Sequence, residues 1–185
     1  MKPALLFDFI IDKATHTIHI KREFNADLEL VWQTWTNPTL LEQWWAPKPY
    51  HIETKKLDLR VGGTWLYAMV SPEGEKMWCK ADYTAIQTKE LLSWLDAFCD
   101  EDGRENTFKP RSFWTNIFSE ANGLTTVNIT LKQEKAEDLQ QMLEMGFENG
   151  LAMAFENLDQ YLAAQFQLRK QNKTKHRMQQ ECALI

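Results

Sequence analysis

Apolar residues recur along this chain at two different periods, and the changes of period divide it into elements. From Thr17 to Phe24 they alternate, with Ile18, Ile20, Arg22 and Phe24 on one side and His19, Lys21 and Glu23 on the other. This predicts a strand with one wet face. Asn25 or Asp27 can cap the helix that follows, where Leu28, Val31, Trp32 and Trp35 return at helical spacing until Asn37-Pro38 stops it. Thr39 to Trp45 reads as a second short helix, halted by Pro47 and Pro49. Ahead of these, Leu5 to Ile11 is a short apolar run, either an extra strand or a lead-in packed on the domain.

From Tyr50 onward the period is two. His51 to Arg60, Thr64 to Val70, Lys76 to Gln87 and Leu91 to Phe98 read as antiparallel strands, with turns at Gly62-Gly63 and Pro72-Glu73-Gly74. A polar loop from Asp100 to about Pro110 leads to two more strands, Ser112 to Glu120 and Leu124 to Lys132, joined at Asn122-Gly123. Lys135 to Gln165 then lacks proline and places apolar residues at 139, 142, 143, 147, 151, 154, 155, 158, 161 and 162, which predicts one long amphipathic helix. Gln167 to Glu181 is polar and mostly basic, and is expected to fray or to be disordered.

Strands grouped together with one long helix define an α+β arrangement. The pattern gives a curved antiparallel sheet of about six to seven strands, two short helices after the first strand, and a C-terminal helix covering the concave side. The boundaries are a lead-in over 1–16, the domain over 17–165 and a tail over 166–185. The space between sheet and helix is the natural place for a ligand.

Composition narrows the function. A chain of 185 residues fits one domain, and 44% hydrophobic content supports a core. A formal net charge of −5 argues against a broad nucleic-acid surface. No stretch approaches the ~20 apolar residues of a membrane span. Cys79, Cys99 and Cys182 lie far apart without a CxxC pair, and Met1 to Phe9 lacks the features of a signal peptide, so a reducing, cytoplasmic setting is expected. No cofactor or metal is expected, because the four histidines and the Asp100-Glu101-Asp102-Gly103 turn lack ligand spacing. No GxSxG elbow is present. Cys182-Ala183-Leu184-Ile185 formally fits a CaaX box, but Ile is not among the usual last residues and prenylation is not the favoured reading.

Each candidate residue has a bland reading beside the functional one. Gly62-Gly63 lacks phosphate-loop spacing and reads as a hairpin turn. Gly150, with Gly146 one turn earlier, marks either a close approach of helix to sheet or room for a ligand. Trp32 and Trp35 read as core. Trp65, Tyr67 and Met69 share one strand face, Trp44 and Trp45 sit near the expected mouth, and the faces of Trp78 and Trp114 stay open. Trp78, Lys80, Asp82 and Thr84 share another face. If inward, Lys80 and Asp82 form a buried acid–base pair; if outward, an ordinary solvated one, which is the favoured reading. Alternation does not choose, because Ala81, Tyr83 and Ala85 serve equally well as a core side. Asp58 and Arg60 are expected to anchor a turn, although Arg60 could hold a carboxylate ligand.

Four segments carry a resemblance. Val31-Trp32-Gln33-Thr34-Trp35-Thr36-Asn37-Pro38 through Leu41 and Trp44-Trp45-Ala46-Pro47 is similar to a VWxAWT(D/N)P…LxxWWxP signature. Asp58-Leu59-Arg60-Val61-Gly62-Gly63-Thr64-Trp65 with Met69 resembles DxRxGGxW…M. Ser71 to Gly74, with the strands to Trp94 and then Asp100 to Gly103, and Gly150 with Phe155, Leu158 and Leu162 complete the set. Together they resemble the activator-of-heat-shock-ATPase-like group of the START-like (SRPBCC) superfamily over about residues 17 to 164. Leu151 departs from the group's usual Trp, and Lys80 from its usual small residue. The eukaryotic activators carry a separate chaperone-docking domain, and no segment of that size precedes Thr17 here. The resemblance implies a helix-grip fold and a binding module for a lipid-like or aromatic small molecule. Its cavity candidates are Trp44, Trp45, Trp65, Tyr67, Met69, Trp78, Lys80, Asp82, Trp114, Gly150 and Leu151. A regulator of a heat-shock chaperone, or a cyclase- or hydrolase-type enzyme using pocket polar groups, are the alternatives. A homodimer stays open.

Overall fold

The computed structural model describes residues 5–182. Its strands are β1 (Phe7–Asp12), β2 (Thr17–Phe24), β3 (His51–Leu57), β4 (Thr64–Val70), β5 (Lys76–Gln87), β6 (Leu91–Phe98), β7 (Ser112–Ala121) and β8 (Leu124–Gln133). They form one curved antiparallel sheet in the order β1-β2-β8-β7-β6-β5-β4-β3. The eighth strand is β1: the run expected as a strand or lead-in pairs with β2 from Phe7 onward. Bulges at Thr54/Lys56 in β3 and Tyr83/Ala85 in β5 add local bend on that side of the sheet.

Two short helices follow β2, α1 (Leu28–Thr36) and α2 (Pro38–Leu41). The Asp27 carboxylate accepts from the Leu30 backbone N–H at 2.8 Å, and Asn37 ends α1 while capping α2. The β3–β4 turn depends on Gly63, where an added Cβ would stand 2.1 Å from the Asp58 carbonyl oxygen. The turn amides are committed inside the fold: Gly62 N–H donates to the Tyr83 carbonyl and Gly63 N–H to that of Arg60. The Gly62-Gly63 pair is therefore a turn.

One uninterrupted helix over 135–165 is not what forms. The segment divides into α3 (Ala136–Glu144) and α4 (Phe147–Cys182). Gly146 sits between them at φ +82°, a left-handed conformation that glycine takes without steric cost. Its N–H and that of Met145 close the end of α3 on the carbonyls of Leu143 and Gln141. Nor does α4 stop near Gln165; it continues to Cys182 through Gln-, Lys- and Arg-rich sequence that contains neither Gly nor Pro. Residues 183–185 of the Cys-Ala-Leu-Ile motif lie outside the described residues.

The inner face of α4 presents Leu151, Ala154, Phe155, Leu158 and Leu162 to the sheet, all buried. Burying a side chain such as Leu158 stabilises the fold by roughly 1.5–3 kcal/mol. Phe155 meets Phe24, Phe7 and Trp44, with ring centroids 5.7, 5.9 and 6.1 Å away. Two polar contacts fix the helix on this layer. Asn157 donates through Nδ2 to the Ala46 carbonyl at 2.9 Å, and the buried Arg22 of β2 pairs with Asp159. No helix among the described residues is long and apolar enough to cross a membrane.

Candidate functional site

Aromatic packing fills one end of the space between sheet and helix and leaves a cavity at the other. At the filled end, Trp44 is fully buried and donates through Nε1 to the Thr34 carbonyl at 2.8 Å. Trp65 is also buried, with its ring stacked on Tyr67 at 3.9 Å and its Nε1–H directed to Thr54 Oγ1. Of the expected cavity residues, these two are core and do not line the cavity.

The cavity has a volume of about 270 Å³. One wall is aromatic: Trp45, Tyr67, Trp114 and Phe98 from the α2 end and the sheet, opposed by Phe147 from the start of α4. Gly150, Leu151 and Ala154 form the helix side. Four methionines also line it, Met69 and Met77 from paired strand positions and Met142 and Met145 from α3 and its end. Methionine's unbranched, polarizable side chain adapts to irregular ligands. Gly146 lies in the same lining, so the break between α3 and α4 is part of the site. An added Cβ at Gly150 would meet only Pro47 Cγ, at 4.0 Å; the glycine opens onto the cavity and makes no close approach to the sheet.

Polar groups converge at one place that the sequence reading passed over. Asp96, Ser112 and Gln133 occupy successive paired positions across β6, β7 and β8, and all three line the cavity. Gln133 is 1% exposed, and its Nε2 donates to Ser112 Oγ at 2.6 Å while its Oε1 has no hydrogen-bond donor. Burial pushes the Asp96 carboxyl up to about 7, with the Ala97 backbone N–H offsetting part of that effect. Burial, reinforced by the nearby Asp96 charge, also holds the Tyr67 phenol and the Cys79 thiol well above their ordinary values, so both stay protonated at neutral pH. The Tyr67 oxygen accepts from Trp45 Nε1 at 3.2 Å. The Trp114 Nε1–H is buried without an acceptor.

The remaining sequence candidates stand elsewhere. Cys79, Ala81 and Tyr83 are the inward residues of β5, which turns Trp78, Lys80 and Asp82 to the outer face and away from the cavity. There Lys80 pairs with Asp82 at 2.9 Å and lies 3.8 Å from Glu105, while Asp82 accepts from Thr64 Oγ1. Trp78 lies under the ammonium groups of Lys55 and Lys76. Arg60 pairs with Asp58 at 2.9 Å beside the turn that the two were expected to anchor. Tyr67, Met69, Trp45, Trp114, Gly150 and Leu151 are the expected residues that the structure brings together around the cavity.

The same architecture recurs in known proteins. A family model described as activator of Hsp90 ATPase homolog 1-like protein matches residues 25–163. The crystal structure of protein Ms6760 from Mycobacterium smegmatis is 34% identical, with a TM-score of 0.78 over 86% of this chain and 97% of that one. The solution structure of a protein from Arthrobacter aurescens is 30% identical, with a TM-score of 0.80 over 85% and 91% of the two chains. CalU16 from Micromonospora echinospora, at 18% identity and a TM-score of 0.57 over 94% and 96%, shares the fold alone. No curated protein matches the chain.

Proposed function

This chain belongs to the activator of Hsp90 ATPase homolog 1-like family, and from that premise we propose that it is a small-molecule binding module whose ligand lies between the sheet and α4. The observation that carries the reading is the cavity of about 270 Å³ with its aromatic and methionine lining and a few convergent polar groups, the usual anatomy of a ligand site. Its volume corresponds to about nine waters at ~30 Å³ each, which fits a mono- or bicyclic molecule better than a two-tailed lipid.

Binding fits the groups present better than catalysis does. The Lys80 and Asp82 side chains lie on the other face of the sheet, and the cavity's thiol and phenol are held in their unreactive protonated forms. Native mass spectrometry and thermal-shift measurements against a panel of compact aromatic and aliphatic compounds test the proposal. Stoichiometric binding with a raised melting temperature supports it; a panel in which nothing binds the wild-type protein, even at millimolar concentration, ends it. The family description also names a chaperone ATPase. That partnership is a separate proposal for this chain, tested by adding it at saturation to the purified chaperone and measuring ATP hydrolysis.

A further inference from the structure

The cavity has a pronounced electrostatic bias. Its lining includes one carboxyl, Asp96, and no Lys, Arg or His. Lys80 is paired with Ala97, the neighbour of Asp96, in the sheet but extends from the opposite face, where Asp82 and Glu105 engage it. Arg111 is likewise committed to Glu105 at 2.9 Å. Asp96 forms no ion pair among the described residues, so its carboxyl meets the cavity without a countercharge. Two strands away in the same paired row, Gln133 Oε1 is a buried acceptor without a protein donor. Leaving a buried acceptor unsatisfied is costly, and a ligand donor would recover that cost. Against these acceptors stands the Trp114 Nε1–H, a neutral donor carrying no full charge.

The walls favour the same charge. Trp45, Tyr67 and Trp114 present ring systems to the space that Asp96 lines. Aromatic faces attract cations through their quadrupole, and an ammonium enclosed by rings with a carboxylate nearby satisfies both kinds of group. An anionic ligand would face the Asp96 carboxylate, the Gln133 carbonyl and the negative faces of the rings. A neutral alcohol would satisfy one acceptor and forgo the charge interaction.

Resting on the binding-module reading above, we propose that the cavity is a site for a compact apolar molecule bearing a protonated amine, with Asp96 receiving the ammonium and the rings of Trp45, Tyr67 and Trp114 holding its body. Gln133 Oε1 accepts a second N–H where the amine is primary. The row Asp96–Ser112–Gln133 thereby confers selectivity on an otherwise apolar cavity.

Three probes of one shape test this: 2-naphthylmethylamine, 2-naphthylmethanol and 2-naphthoate, titrated calorimetrically into the full chain at pH 8. The amine is expected to bind roughly tenfold or more tightly than the alcohol, with the carboxylate weakest. In Asp96→Asn, a near-isosteric change, the amine-to-alcohol ratio is expected to fall to within about threefold. Equal affinities for amine and alcohol in the wild-type protein would overturn the amine proposal while leaving the binding-module reading intact; that comparison needs no variant to fold. Tighter binding of the carboxylate, or a ratio unchanged in Asp96→Asn, overturns it as well. Failure of all three probes and of the wider panel removes both readings together.

Discussion

The indole N–H of Trp45 donates to the phenolic oxygen of Tyr67 at 3.2 Å, tying the turn that follows α2 to the middle of β4 across the aromatic wall. Tyr67 is buried and also hydrogen-bonds the Cys79 thiol, whereas Trp45 is half-buried and the Tyr67 oxygen is the acceptor its indole N–H has. Tyr67→Phe keeps the ring that stacks on Trp65 but removes the acceptor, leaving the Trp45 N–H unsatisfied. A loss of about 1–2 kcal/mol in urea unfolding is expected. Stability equal to wild type would show that the Trp45 N–H finds another acceptor and that the wall is not held by this bond.

Gly150 separates the stability of α4 from the volume of the cavity. A glycine inside a helix costs roughly 0.5–1 kcal/mol relative to alanine, and an added Cβ here meets nothing nearer than Pro47 Cγ at 4.0 Å. Gly150→Ala is therefore expected to stabilise the protein by about that amount. Gly150→Leu sends its larger side chain into the cavity, so it should abolish binding of the naphthyl probes while the protein stays folded by circular dichroism. Retained affinity in Gly150→Leu would place the ligand elsewhere.

The outer face offers the complementary control. Lys80→Met removes the cation shared by Asp82 and Glu105, all three partly exposed, and is expected to cost about 1 kcal/mol. Probe affinity is expected to be unchanged, because the full thickness of the sheet separates Lys80 from the cavity. A severalfold loss of affinity in Lys80→Met would contradict the assignment of faces in β5.

How much of this was legible in the residues depended on how strongly neighbouring positions differ. In β2, Ile18, Ile20 and Phe24 alternate with His19, Lys21 and Glu23, and the burial follows that alternation. In β4 the period of two groups Trp65, Tyr67 and Met69 on one face, but Leu66, Ala68 and Val70 opposite are buried as well, so burial alone does not mark the inward side. The strand β6 reads Leu-Leu-Ser-Trp-Leu-Asp-Ala-Phe, and Leu92, Ser93, Trp94 and Ala97 are all buried, so both of its faces pack and no wet side marks the register. Asp96 shares the parity of Trp94, a signal available only once Trp94 was known to face inward. The same ambiguity in β5, with small Ala81 and Ala85 opposite long Lys80, left Trp78, Lys80 and Asp82 among the cavity candidates. The division of the terminal helix had a readable signal in Gly146, but the apolar period of Leu143, Phe147 and Leu151 runs straight across it. Only the left-handed turn reveals that α3 and α4 meet the cavity as separate pieces.

Asp96 also gives the protein a pH dependence of defined sign. An aspartate's ordinary value is 3.8, and burial pushes Asp96 up to about 7. Between those values the folded protein holds a proton that the unfolded chain has released, so rising pH pulls the equilibrium toward the unfolded state. The Asp96 contribution is therefore most favourable below the lower value, is lost as pH climbs through about 7, and is flat beyond it, a span of at most about 4 kcal/mol. Asparagine cannot titrate, so Asp96→Asn lacks this term while retaining the other ionisable groups. Melting temperatures recorded for both proteins from pH 5 to pH 8.5 should diverge, with wild type losing ground to the variant as pH rises. At pH 8, saturating 2-naphthylmethylamine should restore much of that ground to the wild type, because an ammonium beside Asp96 stabilises its charged form in the folded state alone. Parallel curves across the range would mean that Asp96 is solvated well enough to titrate as an ordinary carboxylate, and the ammonium site would then lose its physical basis.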